Sequence, residues 1–154
     1  MVTIKEAGPK LPEYEVRILE RRMGAVLPAS YRRFLLEYNG GRPDPDVVDV
    51  RGLEGGEADI KVFFGIGPSL DSHCIHWKLT VLAERLEPRL IPIACDSGGS
   101  VFCLSLRDQD YGGILYCDLQ SVYADFDATP EFYPVAPDFD TFLDSLYEIE
   151  DDPN

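Results

Sequence analysis

The sequence predicts an α+β domain with helices packed on one side of a mostly antiparallel sheet. Two amphipathic helical segments open the chain, and short apolar runs separated by glycine- and proline-containing turns follow them. Hydrophobic residues make up 45% and charged residues 27% of the 154 residues, which is enough apolar material for one core. We therefore expect a single domain over residues 1–154, with residues 1–10 as an exposed leader and residues 149–154 as an acidic tail that frays.

Two short helices are expected in the first quarter of the chain. The first covers residues 11–23 and ends at Gly24. The second begins at Pro28, whose fixed φ suits a first helical turn, and ends at Asn39-Gly40-Gly41, which can adopt left-handed backbone. Its apolar stripe, at i, i+3, i+4 and i+7, consists of Tyr31, Phe34, Leu35 and Tyr38. A buried tyrosine hydroxyl needs a polar partner, so we expect partners for these tyrosines.

Loops and strands are expected to alternate between residues 42 and 66. The proline- and aspartate-rich residues 42–46 are typical of a loop, whereas residues 47–50 predict a first strand. Residues 52–59 contain three glycines and three acidic residues, which indicates a turn or mobile loop. Residues 61–66 predict a second strand, which ends at a Gly-Pro pair.

A third helix is expected to begin at Asp71 or Ser72 and to run to about Arg85. It carries two apolar stripes roughly 150° apart, and the second stripe includes Trp77 and Val81. Such a helix is either covered on two sides or leaves Trp77 and Val81 partly exposed. The narrow polar strip favours a deeply packed helix. The alternative is that Trp77 offers an aromatic anchor to a partner protein.

A hairpin is expected in the second half of the chain. Its strands cover residues 90–95 and 101–106, and residues 96–100 form the turn. Pro92 lies inside the first of these strands, which predicts an edge strand or a β-bulge.

The last third of the chain is predicted to contain one further strand and one helix. The strand covers residues 114–118, whereas residues 122–126 fit either a short strand or a loop. Prolines at Thr129-Pro130 and Tyr133-Pro134 are expected to break the chain. Asp138 is expected to cap the final helix. Its apolar stripe consists of Phe139, Phe142, Leu143 and Leu146.

Three stretches of the chain resemble the SUKH superfamily, which is related to the yeast SMI/KNR cell-wall regulators. They are Leu27-Pro28 with Tyr31, Phe34-Leu35 and Asn39-Gly40-Gly41; Ile91-Pro92-Ile93-Ala94-Cys95-Asp96 with Gly98-Gly99; and Val135 through Leu143. The third stretch has Asp138 where the family usually has serine, and both residues can cap a helix. The resemblance extends over about residues 12–147, and it implies the same α+β fold.

Negative charge is concentrated toward the C-terminal end of the sequence. The net charge is −14, and beyond Arg107 there are 13 carboxylates and no lysine, arginine or histidine. Nucleic acid is therefore a poor partner, because binding it requires cations that neutralise phosphates. The charge favours a basic protein partner. The alternative is that the acidic residues serve solubility alone.

The sequence contains no pattern that indicates a cofactor, a metal site or catalysis. The four cysteines form no Cys-x-x-Cys pair and are expected to be reduced thiols. His73-Cys74-x-His76 lacks further ligands nearby for a structural zinc site. The turn Asp96-Ser97-Gly98-Gly99-Ser100 joins two strands and does not match the Gly-x-Ser-x-Gly nucleophile motif. We expect a protein that is not an enzyme.

The resemblance implies a binding role, because bacterial SUKH proteins act as immunity proteins that bind and silence toxins, often nucleases, of contact-dependent or polymorphic toxin systems. We expect carboxylates and an aromatic anchor to form the contact, and the candidates are Trp77, Asp108, Asp110, Tyr111, Asp118, Asp125 and Asp127. A regulatory scaffold domain without a toxin partner is the alternative, and a small-molecule or enzymatic role is a third hypothesis. No signal peptide or membrane span is visible, so a cytoplasmic location is expected. The oligomeric state stays open.

Overall fold

The structure, a computed structural model, describes residues 2–67 and 72–149. Within these residues there are five α-helices, a short 3₁₀ helix at Asp108–Asp110 and nine strands. The helices are α1 (Glu13–Met23), α2 (Ala29–Tyr38), α3 (Ile75–Val81), α4 (Gln120–Ala124) and α5 (Phe139–Asp144). The strands are β1 (Thr3–Lys5), β2 (Arg42–Asp44), β3 (Val47–Asp49), β4 (Glu57–Asp59), β5 (Val62–Phe63), β6 (Leu90–Cys95), β7 (Val101–Ser105), β8 (Ile114–Asp118) and β9 (Glu131–Ala136).

The main sheet has five strands in the order β5-β6-β7-β8-β9, and all neighbouring strands are antiparallel. Two smaller antiparallel pairs, β1–β2 and β3–β4, complete the described strands. Pro92 lies in an interior strand, where the register shifts between Pro92 and Ala94. The bulge prediction is therefore confirmed and the edge-strand alternative is wrong. The arrangement confirms the predicted α+β fold.

Aromatic side chains join the sheet to α2 and α5. Phe34 of α2 lies 4.9 Å, between ring centroids, from both Phe63 of β5 and Phe139 of α5. Phe142 of α5 lies 5.5 Å from Phe102 of β7. All of these rings are buried, and fully burying one such side chain stabilises a fold by about 1.5–3 kcal/mol. The aromatic stripes predicted for the second and the last helix therefore form one shared core.

The Asn39-Gly40-Gly41 motif connects α2 to the main sheet. Asn39 is fully buried with a φ of 49°, and its side-chain amide donates to the carbonyl oxygens of Pro9 and Ile66 at 2.8 and 2.9 Å. Its Oδ1 accepts a hydrogen bond of 2.7 Å from the Ile66 N–H. At Gly40 the φ is 94°, and a Cβ would lie 2.8 Å from the Phe63 carbonyl oxygen. Packing and backbone geometry therefore explain why this motif needs these residue types.

Several local expectations at the start of the chain are wrong. Residues 3–5 are mostly exposed, as expected of the leader, but they pair as β1 with β2, which occupies the expected loop 42–46. Residues 57–59 lie in the expected loop 52–59, yet they pair as β4 with β3. These short strands have little sequence periodicity, and pairing with a distant segment or across a turn defines them.

Three further differences concern the second half. The first is α3, which begins at Ile75 and ends at Val81 and is therefore shorter than the helix expected up to about Arg85. Asp71, one of the two expected cap residues, lies outside the described residues. A short strand or a loop was expected for residues 122–126, but residues 122–124 belong to α4 and only residues 125–126 lie outside it. Pro134 lies inside β9 rather than breaking the chain, because β9 is an edge strand and an edge tolerates the missing N–H. The final helix is capped as predicted, since the Asp138 side chain accepts a hydrogen bond from the Thr141 N–H at 2.7 Å.

The prediction of a polar partner for each tyrosine of the α2 stripe is wrong for Tyr31. Its hydroxyl is buried and has no hydrogen-bond partner among residues 2–67 and 72–149. Helix packing against the aromatic rings of the core places it there. Finally, none of the helices in the described part of the chain has the length and hydropathy needed to cross a bilayer.

Candidate partner-binding surface

The seven predicted contact residues do not form one cluster. Asp108, Asp110 and Tyr111 lie just before β8, whereas Asp118 ends this strand and Asp125 and Asp127 follow α4. The five residues of β8 separate the two groups by roughly 13 Å at about 3.3 Å per residue step. Trp77 lies on α3, on the side of the second group. The structure thus offers two candidate surfaces, one at each end of β8.

At the first surface, Asp110 is already engaged by neighbouring side chains. Arg107 and Ser105 both hydrogen-bond to its carboxylate, and Arg107 also pairs with Glu87 at 2.6 Å. The hydrogen bond from Arg107 is the main cause that lowers the pKa of Asp110. Arg107 thus largely neutralises this carboxylate, and Asp108 remains as the exposed acidic residue of the pair.

Tyr111 is half-exposed beside a cavity of about 660 Å³ between the 108–110 turn and the end of β9. Its hydroxyl donates a hydrogen bond of 2.5 Å to the Val26 carbonyl oxygen, so it ties the turn to the segment after α1. The cavity walls are mainly apolar and include Leu115 and Val135. The partly buried hydroxyl gives Tyr111 a structural role beside any binding role.

The second surface is an exposed apolar patch formed by α3, α4 and Phe126, which lies two residues after α4. We call it the α3–α4 surface, and it consists of Trp77, Val81, Tyr123 and Phe126, which are 48%, 49%, 61% and 76% exposed. Trp77 lies one helical turn before Val81 on the same side of α3. The expectation of a deeply packed third helix is therefore wrong. Within the described chain, only the stripe that includes Ile75 and Leu79 packs against the core.

A groove of about 330 Å³ runs between the two helices of this surface. We call it the α3–α4 groove, and its lining consists of Val81, Leu82, Arg85, Leu119, Val122, Tyr123 and Phe126. The guanidinium carbon of Arg85 lies 4.4 Å from the centroid of the Phe126 ring, and its Nη2 donates to the Phe126 carbonyl oxygen at 2.7 Å. Arg85 therefore holds this exposed ring by a cation–π contact and a hydrogen bond.

Three predicted carboxylates lie on the segments that flank the α3–α4 groove. Asp118 accepts a hydrogen bond from the Gln120 N–H at 3.0 Å, and Asp125 accepts one from the Asp127 N–H at 3.1 Å. Within the described chain, neither these two nor Asp127 has a lysine or arginine nitrogen within 4.0 Å. Their charges are thus free to attract an incoming cation. Lys78 contributes a positive charge beside Trp77, because its Nζ lies 5.5 Å from the Trp77 ring centroid.

Sequence reasoning missed Tyr123 and Phe126 as surface residues. Residues 120–126 show no regular spacing of apolar residues, because α4 has little more than one turn and cannot display a helical stripe. The available signal was the i, i+3 spacing of Tyr123 and Phe126 next to two aspartates, which is unusual for a buried segment.

The described residues contain no group of three or more histidine, cysteine, aspartate or glutamate side chains arranged to hold a metal ion. Cys95, Cys103 and Cys117 are buried free thiols, and burial raises the pKa of each, that of Cys117 to about 12. A thiol with a raised pKa is a poor nucleophile at neutral pH. His76 accepts a hydrogen bond from Arg22 at 3.0 Å, so it is engaged in packing α3 against α1.

The fold and the exposed surface together describe an α+β domain with a five-stranded antiparallel sheet and an apolar patch next to acidic residues. The chain belongs to the SMI1/KNR4 family (SUKH-1), whose family model matches residues 10–145. This match confirms the resemblance found in the sequence. The chain is also similar to the SPbeta prophage-derived uncharacterized protein YokK of Bacillus subtilis (strain 168). The two are 27% identical over 150 residues, which cover 87% of this chain and 73% of that protein.

Proposed function

We propose that this protein is a non-enzymatic immunity protein that binds and neutralises a basic protein toxin, with nuclease toxins as the first candidates. The observation that carries the proposal is the α3–α4 surface, where exposed aromatic side chains lie next to carboxylates without ion-pair partners in the described chain. Membership of the SMI1/KNR4 family supports it, and the resemblance to bacterial SUKH proteins supplies the toxin as the class of partner.

The charge distribution supports a cationic partner. Of the carboxylates after Arg107 that the structure describes, Asp110 and Asp140 are in ion pairs, the latter with Arg33 at 3.9 Å. The other described carboxylates of this segment have no lysine or arginine nitrogen within 4.0 Å among the described residues. A nuclease needs a basic cleft to hold phosphates, and an acidic protein can occupy such a cleft. Opposite charges also raise the rate of association, which favours early capture of a toxin.

The apolar part of the surface supports a protein partner rather than a small ion. Binding energy at protein interfaces is concentrated in a few large side chains, and tryptophan and tyrosine are prominent among them. Trp77 and Tyr123 provide both residue types on one exposed surface. The acidic border can then steer the partner while the aromatic side chains supply affinity.

The test is co-expression with the product of the adjacent gene in cells that this product harms when it is expressed alone. We expect restored growth and a co-purified complex, and we expect the association rate constant to fall as salt concentration rises. Growth without any complex would contradict direct neutralisation. A stable complex with a partner that is harmless by itself would favour the regulatory scaffold alternative.

A further inference from the structure

The α3–α4 groove combines apolar walls with a nearby anionic segment. Phe126 in its lining is 76% exposed, and Asp125 and Asp127 flank it directly in the chain. Large apolar side chains that lie together at a protein surface commonly mark an interaction site. The occupant of this groove must therefore bring apolar atoms to the walls and a favourable charge to the aspartates.

Arg85 is the cation that lines this groove, and it is engaged with Phe126 rather than with the aspartates. Its Nη2 donates to the Phe126 carbonyl oxygen at 2.7 Å, and its guanidinium stacks on the ring. Within the part of the chain that the structure describes, Asp125 and Asp127 have no ion pair. A lysine or arginine from an occupant can therefore reach these carboxylates without first displacing an internal partner.

A second copy of this chain is a poor occupant of the groove. In a two-fold dimer the same surface of both copies meets, which would bring the aspartates of each copy close to those of the other. Each chain also carries a net charge of −14, so approach is opposed over the whole surface. A cationic segment of another protein has no such penalty.

We infer that the α3–α4 groove binds an amphipathic segment of the partner, whose apolar side chains fill the groove and whose lysine or arginine side chains pair with Asp125 and Asp127. This inference rests on the proposed function, because it specifies how a basic toxin would be recognised. Apolar contacts in the groove slow dissociation, whereas the exposed aspartates raise the association rate.

The single tryptophan of the sequence allows a direct test. Trp77 is half-exposed on the α3–α4 surface, so its fluorescence reports on binding there. The probe is a synthetic helical peptide without tryptophan or tyrosine, with leucines on one face and lysines on the other. We expect saturable changes in Trp77 emission, and amide NMR shifts centred on residues 77–85 and 119–127. The absence of saturable binding, or shifts centred on the cavity beside Tyr111, would overturn the inference.

Two control peptides separate charge from apolar contact. The first replaces every lysine by glutamate, and the second replaces every leucine by serine. We expect each to bind at least about tenfold more weakly than the parent peptide, because the groove requires both properties. Equal binding of the serine peptide would show that only the general negative field attracts the probe, and it would overturn the inference.

Variants of the protein provide a matched comparison. Asp127→Lys and Asp108→Lys change the net charge equally, at opposite ends of β8, and both positions are exposed. We expect about a tenfold loss of affinity for Asp127→Lys and for Phe126→Ser, but less than about a twofold loss for Asp108→Lys. Equal losses for the two charge reversals would overturn the inference. Circular dichroism would confirm that each variant is folded.

The outcomes also separate this inference from the proposed function. If the adjacent gene product binds the wild type and the groove variants with equal affinity, the inference is wrong and the proposed function stands. If the adjacent gene product does not bind while the peptide binds the groove, the proposal of a toxin encoded by the adjacent gene is wrong. The inference that the groove binds an amphipathic cationic segment then stands.

Discussion

Asn39 and Tyr31 show how two buried polar side chains of one helix segment differ in their hydrogen bonds. Asn39 makes three side-chain hydrogen bonds that tie together the N-terminal segment, the end of α2 and the loop after β5. Tyr31 is equally buried, and within the described chain its hydroxyl makes none. Burial raises the pKa of Tyr31, so this side chain is neutral at physiological pH. Burying this hydroxyl therefore costs desolvation free energy, and no hydrogen bond within the described chain offsets that cost.

Replacing Tyr31 by phenylalanine should not destabilise the protein. The substitution removes an unsatisfied hydroxyl and keeps the ring that packs 5.2 Å, between centroids, from Phe139. We expect the free energy of unfolding to stay constant or to rise by about 1 kcal/mol, as measured by urea denaturation.

Tyr116→Phe is the matched control for this prediction. The Tyr116 hydroxyl donates a hydrogen bond of 2.5 Å to the buried carboxylate of Asp96. Its loss should lower the free energy of unfolding by about 1.5–3 kcal/mol, because a charged acceptor loses a donor. A comparable loss in Tyr31→Phe would show that the Tyr31 hydroxyl is hydrogen-bonded in solution.

At the scale of elements, α3 is attached to α1 through one arginine. Arg22 of α1 donates to the His76 Nδ1 at 3.0 Å, to the His76 carbonyl oxygen at 3.1 Å and to the Thr80 Oγ1 at 3.1 Å. Because a guanidinium can only donate, His76 must present a neutral ring nitrogen as the acceptor. These contacts orient the helix that carries Trp77 and Val81.

The stability of this helix contact should depend on pH. Burial and then the Arg22 charge lower the pKa of His76, although Glu15 opposes the shift. The unfolded chain therefore binds the proton more readily, with an ordinary histidine pKa of about 6.5. We expect the free energy of unfolding to fall as pH decreases through about 6.5, and to level off below the lowered pKa of the folded protein.

Urea denaturation at about pH 7.5 and about pH 5.5 would measure this dependence. His76→Gln should show a smaller decrease than the wild type. The glutamine side chain takes up no proton in this pH range, whereas His76 does when the chain unfolds. His73→Gln, which leaves the Arg22 contact intact, is the matched control. A wild-type decrease that His76→Gln retains in full would assign the pH dependence to other groups.

For the whole molecule, self-repulsion and ion pairing respond to salt with opposite signs. The described residues contain seven ion pairs, and most of their side chains are exposed. Exposed pairs contribute about 0–1 kcal/mol each. The net charge of −14 produces repulsion that folding must overcome. With twice as many acidic as basic residues, 28 against 14, we expect repulsion between carboxylates to exceed the contribution of the pairs.

Added salt should therefore stabilise the protein. We expect the Tm to rise by a few degrees between about 0.02 M and about 0.5 M NaCl, because screening weakens repulsion over distances of about a Debye length. Differential scanning calorimetry would measure it. The double variant Asp125→Asn/Asp127→Asn should show a smaller rise, since it removes two unpaired charges. A Tm that falls with salt would mean that the ion pairs dominate.

Much of the fold followed from regular patterns that are local in sequence. The stripes of α1, α2 and α5, the turn between β6 and β7 and the cap at Asp138 all depend on residues close together in the chain. The strands β1, β2 and β4 could not be predicted in this way. Each has three residues and is defined by its hydrogen-bonded partner.

The candidate site could be predicted only in part. Its residue types, acidic and aromatic, were evident from the sequence, and Trp77, Asp118, Asp125 and Asp127 do lie on or beside one surface. The sequence did not separate the three aspartates of this surface from Asp108, Asp110 and Tyr111, because all six residues are in β8 or close to it in the chain. Only the extended geometry of β8 places these two groups at opposite ends.

By itself, the sequence determined the family, the α+β class and the excess of negative charge, because signature motifs, periodic patterns and composition do not depend on long-range contacts. The tertiary structure alone decided which apolar side chains stay exposed and which carboxylates are paired. Packing decides the first, since the core covers one stripe of α3 and leaves the other at the surface. Proximity decides the second, since Arg107 neutralises Asp110 whereas Arg85 is turned toward Phe126.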